Sequence, residues 1–197
     1  VADYGRLLAS VGINGIVLNN VTAQAEFLEP DRLAAVARVA GIFRDHGLRS
    51  YLSINCAAPI LVGGLSTADP LDPHVREWWA AKAAEIYRLV PDFGGFSVKA
   101  DCEGVPGPMV YGRTHADGAN MLARALRPHG GAVLWRTFVY ELPRGQTTFD
   151  FFRRLDGDFE ENVILVVKNG PVDFQPVEPL HPLFGQTPET RQMAEFQ

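Results

Sequence analysis

The stretch GGFSVKAD, residues 94–101, is a short β-prone run between two glycines and a charged segment. In a strand, successive side chains alternate between two faces, so Phe96 and Val98 would face a helix layer and Lys99 the opposite side. The run at residues 163–168 repeats this arrangement, with branched aliphatic residues on one face and a lysine at its end. Both runs predict short strands that end in a cation.

Similar β-prone runs alternate with amphipathic stretches along the whole chain. The strands are predicted at residues 15–19, 49–55, 94–101, 132–139 and 163–168, with a sixth beginning at Met193. The helices are predicted from Pro30 to a stop at Gly47, from Pro73 to about Val90, at 117–126 and, as a short helix, at 149–155. This alternation is typical of βα units around a parallel sheet.

The long loops follow the strands, which favours a (β/α) barrel over an open doubly wound sheet. The first strand is not followed by a glycine-rich phosphate loop, which removes the commonest reason to choose the open sheet. A full barrel has eight strands in roughly 250 residues. We therefore predict an α/β fold, a partial (β/α)8 TIM barrel with parallel strands, truncated at both ends. Residues 1–197 would form part of a single catalytic barrel domain, with flanking domains outside this chain.

Composition excludes several classes of function. The net charge is -5 and no dense basic run occurs, so we expect neither a nucleic acid nor a membrane as partner. No spacing of His and carboxylates matches a metal site, and we expect no metal and no cofactor. Residues 1–4 lack the pattern of a signal peptide, which favours a cytoplasmic protein. The first residue is not Met, however, so a signal peptide ahead of it is compatible with the sequence.

Two cysteines are too few for a disulfide scaffold or a thiolate zinc site. Cys56 and Cys102 follow predicted strands at matching positions, so a bridge between them is an alternative to the expected reduced thiols.

Reactive groups of such barrels project from the C-terminal ends of the strands. Three predicted strands end in a cation, namely Lys99, Arg136 and Lys168, and carboxylates follow two of them. One interpretation is a set of rim salt bridges with nearby acidic residues. The alternative is a converging site for a carboxylate or phosphate, in which Arg gives bidentate geometry and the lysines give point charges.

Two separated carboxylates beside such a pocket would suit glycoside hydrolysis. Tyr111 and Tyr140, on loops after strands, are candidates for stacking on a sugar. We expect Trp135, which alternates with Arg136, to pack against helices, and His115 to fix the loop that enters its helix.

Several longer runs resemble the α-glucuronidases of glycoside hydrolase family 67. They are residues 12–15 with 17–21, 63–65 with 67–73, 91–96, 111–120, 167–175 and 182–185, so that most of the chain takes part in the resemblance. The resemblance implies that Glu103 is the general acid and that Asp173 helps to activate the attacking water. It also implies that the strand-end cations Lys99, Arg136 and Lys168 bind the carboxylate of the uronic acid. A second water-activating glutamate of the family would lie beyond Gln197, and Glu195 is not its match.

The expected function is that of an inverting glycoside hydrolase, which releases glucuronic or 4-O-methylglucuronic acid from xylan-derived xylooligosaccharides. The chain by itself would lack part of the base machinery and is expected to be inactive alone. Two alternatives remain open from the residues. One is another barrel enzyme on an anionic sugar, an isomerase or aldolase with Lys99 or Lys168 as base or Schiff-base nucleophile. The other is a noncatalytic uronate-binding module. A homodimer of the full-length protein is compatible with the sequence.

Overall fold

The computed structural model describes residues 1–101, 104–139, 142, 144–170 and 177–196. Strands and helices alternate along this part of the chain, as the sequence predicts. The strands are β1 (Gly15–Val17), β2 (Arg49–Ile54), β3 (Gly95–Val98), β4 (Ala132–Arg136), β5 (Val163–Lys168) and β6 (Arg191–Glu195). The helices are α1 (Ala2–Ser10), α2 (Pro30–Arg44), α3 (Ala58–Leu61), α4 (Pro73–Leu89), α5 (His115–Leu126) and α6 (Thr148–Arg153).

The six strands form one sheet in the order β1-β2-β3-β4-β5-β6, and every neighbouring pair is parallel. A doubly wound sheet would reverse its strand order at a switch point. Here each strand lies beside the next one in the chain, which is the winding of a (β/α) barrel. The sheet curls into a half-barrel, so the predicted partial barrel is confirmed.

The convex face of the sheet packs against the helices and forms the core. The largest fully buried side chains here are aromatic, and Trp79 meets Phe96 edge to face with ring centroids 5.6 Å apart. The alternation predicted for β3 is confirmed, since Phe96 and Val98 are both 0% exposed in this core. Trp135 lies there too, as predicted. Burial of this apolar layer is the main stabilising term of the fold.

The helix starts follow the capping rules. Asp72 accepts hydrogen bonds from the backbone N–H groups of His74 and Val75, with Pro73 in the first turn of α4. At α5, the N–H of Asp117 donates to Oγ1 of Thr114 and the N–H of Thr114 donates back to the Asp117 carboxylate, a reciprocal capping box. No helix in the described ranges is long and apolar enough to cross a bilayer.

Four strands are shorter than predicted, β2 by the single residue Asn55 and three others by two or more residues. β1 ends at Val17 and not at residue 19. The side chain of Asn19 forms hydrogen bonds with the N–H and the carbonyl oxygen of Ser53, which the backbone of a longer strand would otherwise pair with. β3 ends at Val98, short of Asp101, whose φ of 50° is left-handed and incompatible with an extended strand. β4 ends at Arg136. The helix α1 was not predicted.

Candidate active site

The concave face of the sheet carries the polar side chains that the strand alternation predicted. A cavity of about 590 Å³ opens on this face, and its lining includes Ser53, Ser97, Arg136 and Glu195. The register pairs Val98 with Trp135, so Lys99 follows at the level of Arg136. Lys168 lies further along its strand, where its register partner on β6 is Glu195. The three predicted cations therefore lie at the C-terminal ends of three adjacent strands.

Two of these cations share one aromatic ring. Nζ of Lys99 lies 5.0 Å from the centroid of Phe138, and Nζ of Lys168 lies 5.5 Å from the same centroid. An ammonium at this distance over a ring face is attracted by the negative π cloud. Phe138 is thus a shared neighbour of two cationic side chains at the ends of β3 and β5. The sequence reasoning missed Phe138, although alternation from Leu134 through Arg136 places it on the concave face.

Arg136 is held by a carboxylate from the last strand. Its Nε donates to Oε2 of Glu195 at 2.7 Å, and its Nη2 donates to Oε1 in a second, parallel hydrogen bond. The side chains are only 10% and 17% exposed. The pair spans β5 and fixes the guanidinium plane, leaving the Nη1 side of the fork directed away from Glu195.

A buried polar chain leads from β4 to the end of β3. Nε1 of Trp135 donates to Nδ1 of His115 at 3.0 Å, and Nε2 of His115 lies 3.1 Å from Oδ2 of Asp101. The last contact is close but is not a straight hydrogen bond. The His115 ring is 0% exposed and meets Phe151 and Phe152 edge to face. His115 fixes the loop that precedes its helix, as predicted.

Two loops on this edge are closed at their bases by side-chain oxygens. The N–H of Met109 donates to both carboxylate oxygens of Asp101, at 3.3 and 3.4 Å, which closes loop 101–109. The N–H of His181 donates to Oδ1 of Asn169 at 2.9 Å, which closes loop 169–181. Burial lowers the pKa of His181, and its Nδ1 accepts from the N–H of Leu183.

The predicted acid and base positions fall in these two loops. Glu103 lies within 101–109 and Asp173 within 169–181, and both lie outside the described residues. Tyr140 and Cys102 also lie outside them, so stacking by Tyr140 and the bridge from Cys56 stay predictions. Cys56 itself is buried, and burial raises the pKa of its thiol to about 12.

Tyr111 has a structural partner. Its hydroxyl accepts a hydrogen bond from the N–H of Ala68 at 3.1 Å. Beside it, Arg113 forms a bidentate pair with Asp69, with Nε–Oδ1 and Nη2–Oδ2 distances of 3.0 and 2.9 Å. The hydrogen bonds from Arg113 hold the pKa of Asp69 below its usual range. Together these contacts tie the loop after β2 to the loop after β3.

Across the described ranges, no three side chains of His, Cys, Asp or Glu converge in the way that a metal site requires.

Two solved structures share this architecture. An O-GlcNAc hydrolase mutant from Thermobaculum terrenum aligns with a TM-score of 0.55 at 11% identity, over 85% of this chain and 37% of that one. The protein named CpGH84B aligns with a TM-score of 0.54 at 12% identity, over 87% of this chain and 31% of the other. At such identities the likeness concerns the fold alone.

Sequence relatives are much closer. A probable alpha-glucuronidase A of Aspergillus clavatus is 48% identical across 100% of this chain, and an alpha-glucuronidase of Hypocrea jecorina is 50% identical across 95%. The chain spans 24% and 23% of these two proteins. The family described as glycosyl hydrolase family 67 middle domain matches residues 1–197. The chain therefore belongs to glycosyl hydrolase family 67, as its middle domain.

Proposed function

We propose that this chain is part of the single catalytic barrel of an inverting α-glucuronidase, which removes glucuronic or 4-O-methylglucuronic acid from xylooligosaccharides. The observation that carries the proposal is the convergence of Lys99, Arg136 and Lys168 at the carboxyl ends of neighbouring strands. The names of the relatives support the same activity.

The cation cluster suits the carboxylate of a uronic acid. The ammonium groups of Lys99 and Lys168 both approach the Phe138 ring, and a carboxylate bound beside it would be attracted to both. Arg136 would present its Nη1 side to the same carboxylate, while Glu195 holds the other edge of the fork. A planar, pre-oriented guanidinium loses little entropy when it binds a carboxylate. A uronate brings a negative charge to the strand ends where these cations lie, which a neutral sugar does not.

The reaction needs an acid and a base on opposite sides of the glycosidic bond. Glu103 donates its proton to the xylose oxygen as the bond from C1 to that oxygen breaks. Asp173, with a glutamate expected beyond Gln197, accepts a proton from water as the new bond to C1 forms. In inverting enzymes the two carboxyl sides are about 6.5–9.5 Å apart, which leaves room for that water. The sugar is released as the β-anomer.

The test uses the full-length protein and aldouronic oligosaccharides. Release of glucuronic acid is measured for the wild type, for Glu103→Gln and for the control Glu161→Gln, which changes an exposed glutamate in the same way. We expect β-anomer as the first product by NMR, at least about a 100-fold loss of kcat in Glu103→Gln, and wild-type activity in the control. First release of the α-anomer would contradict inversion. Full activity of Glu103→Gln would remove this residue from the mechanism.

A further inference from the structure

The loop that carries Glu103 begins at an anchored and conformationally unusual residue. Asp101 has a φ of 50°, a left-handed conformation that Asp and Asn adopt more readily than other residues with a side chain. Its carboxylate accepts from the N–H of Met109 and so joins the two ends of the loop. A Cβ atom on Gly107 would lie 2.5 Å from Asp101 atoms. The close passage of the chain over this carboxylate therefore requires a glycine at 107.

The partner of this carboxylate is a histidine of defined tautomer. An indole N–H can only donate, so Nδ1 of His115, which receives the Trp135 hydrogen bond, carries no proton. The neutral ring must then carry its proton on Nε2, which lies 3.1 Å from Oδ2 of Asp101. The aromatic rings around His115 fix the plane of the imidazole. The side chain of Asp101 is itself only 10% exposed.

This chain of contacts links two parts of the proposed site. Trp135 precedes Arg136 in β4, and strand alternation directs their side chains to opposite faces of the sheet. Asp101 precedes Glu103 by two residues. The backbone that bears the uronate-binding Arg136 is thus connected, through three side chains, to the backbone that bears the proposed acid. The distance between Arg136, which is proposed to bind the uronate, and the proposed acid Glu103 would depend on this connection.

We infer that Asp101, His115 and Trp135 act together as positioning residues, which set the general acid Glu103 against the leaving oxygen of the substrate. The inference rests on the proposed function. None of the three side chains needs to touch the substrate, since they act through the backbone of loop 101–109. A displacement of about 1 Å in a catalytic group can cost roughly 100-fold in rate.

Two substitutions of Asp101 distinguish the effect of its side chain from the effect of its backbone conformation. Asp101→Asn keeps a side-chain oxygen that can accept from the N–H of Met109 and lie beside His115, and Asp101→Gly removes the side chain, while both residues tolerate a positive φ. In the full-length protein, we expect kcat on aldouronic oligosaccharides to fall about 30- to 100-fold for Asp101→Gly and by less than about threefold for Asp101→Asn. KM should change less than about twofold in both, because the cations that bind the uronate are untouched.

The leaving group distinguishes a misplaced acid from general damage. The fluoride ion of α-D-glucuronosyl fluoride leaves without a proton from a general acid. Hydrolysis of this substrate should therefore fall less than about threefold in Asp101→Gly. Equal losses on the fluoride and the oligosaccharide would overturn the inference, because they would indicate a structural role only. An Asp101→Asn variant as inactive as Asp101→Gly would also overturn it.

Glu103→Gln, assayed on both substrates, tests the proposed function separately. If Glu103→Gln loses activity only on the oligosaccharide and Asp101→Gly does not, the acid assignment stands and the positioning inference fails. If Glu103→Gln affects neither substrate, the proposed role of Glu103 as the acid fails, and the positioning inference fails with it. Should Asp101→Gly not fold, Trp135→Phe replaces it, since this change keeps an aromatic ring and removes the N–H that sets the His115 tautomer. A loss of about fivefold, confined to the oligosaccharide, is then expected, and equal losses on both substrates would refute the inference.

Discussion

The ion pair between Arg136 and Glu195 should be strongly coupled, because it is largely shielded from water. The two side chains are 10% and 17% exposed and share two parallel hydrogen bonds. At an effective dielectric constant of about 20, charges about 4 Å apart attract by about 4 kcal/mol, and desolvation offsets part of this. Removing one partner leaves the other charge buried and unpaired. We expect Arg136→Met or Glu195→Met alone to cost about 2–3 kcal/mol.

The double substitution should cost much less than the sum of the two single ones, because two apolar side chains of similar volume leave no unpaired charge. The assay is a double-mutant cycle on the thermal midpoint of the full-length protein without ligand. Each single change should lower the midpoint by about 5–10 °C, as for a domain of this size. Glu161→Met, at an exposed position, serves as the control and should shift the free energy of unfolding by less than about 0.5 kcal/mol. Additive effects of the two single changes would refute the reasoning.

Two further predictions concern stability. Gly95→Ala should cost more than about 4 kcal/mol or prevent folding, because its Cβ would lie 1.8 Å from the carbonyl oxygen of Ala132 at a φ of 132°. The matched change is Gly41→Ala in α2, where an added Cβ would meet no atom within 4 Å, and it should stabilise the protein by about 0.5–1 kcal/mol. Similar urea midpoints for the two variants would contradict this contrast. Burial lowers the pKa of His181 from its ordinary value of 6.5, so its contribution to stability is complete above pH 6.5 and is lost as the pH falls from there through the lower pKa of the folded state. His181→Asn should therefore flatten the decrease in thermal midpoint between about pH 7 and about pH 5, and identical slopes would show that His181 does not cause it.

The amino-acid sequence determined the fold class and the positions of most elements. Apolar alternation at period two marks β5 over the same residues that the structure shows, 163–168. The Asp-Pro start of α4 predicts its first turn because capping is local chemistry. The same alternation placed Lys99, Arg136 and Lys168 on the concave face. Family resemblance, confirmed across the whole chain, added the identity of the family.

Only the tertiary structure decided what these side chains meet. The pairing of Arg136 with Glu195 joins residues 59 positions apart, and their contact depends on how the sheet curls across β5. The contacts of Phe138 with two lysines, and of His115 with Trp135 and Asp101, depend in the same way on strand register and on the packing of α5. Local patterns record which face a residue occupies, since that follows from backbone geometry alone. Contacts between distant residues arise from the packing of whole elements, which no local pattern encodes.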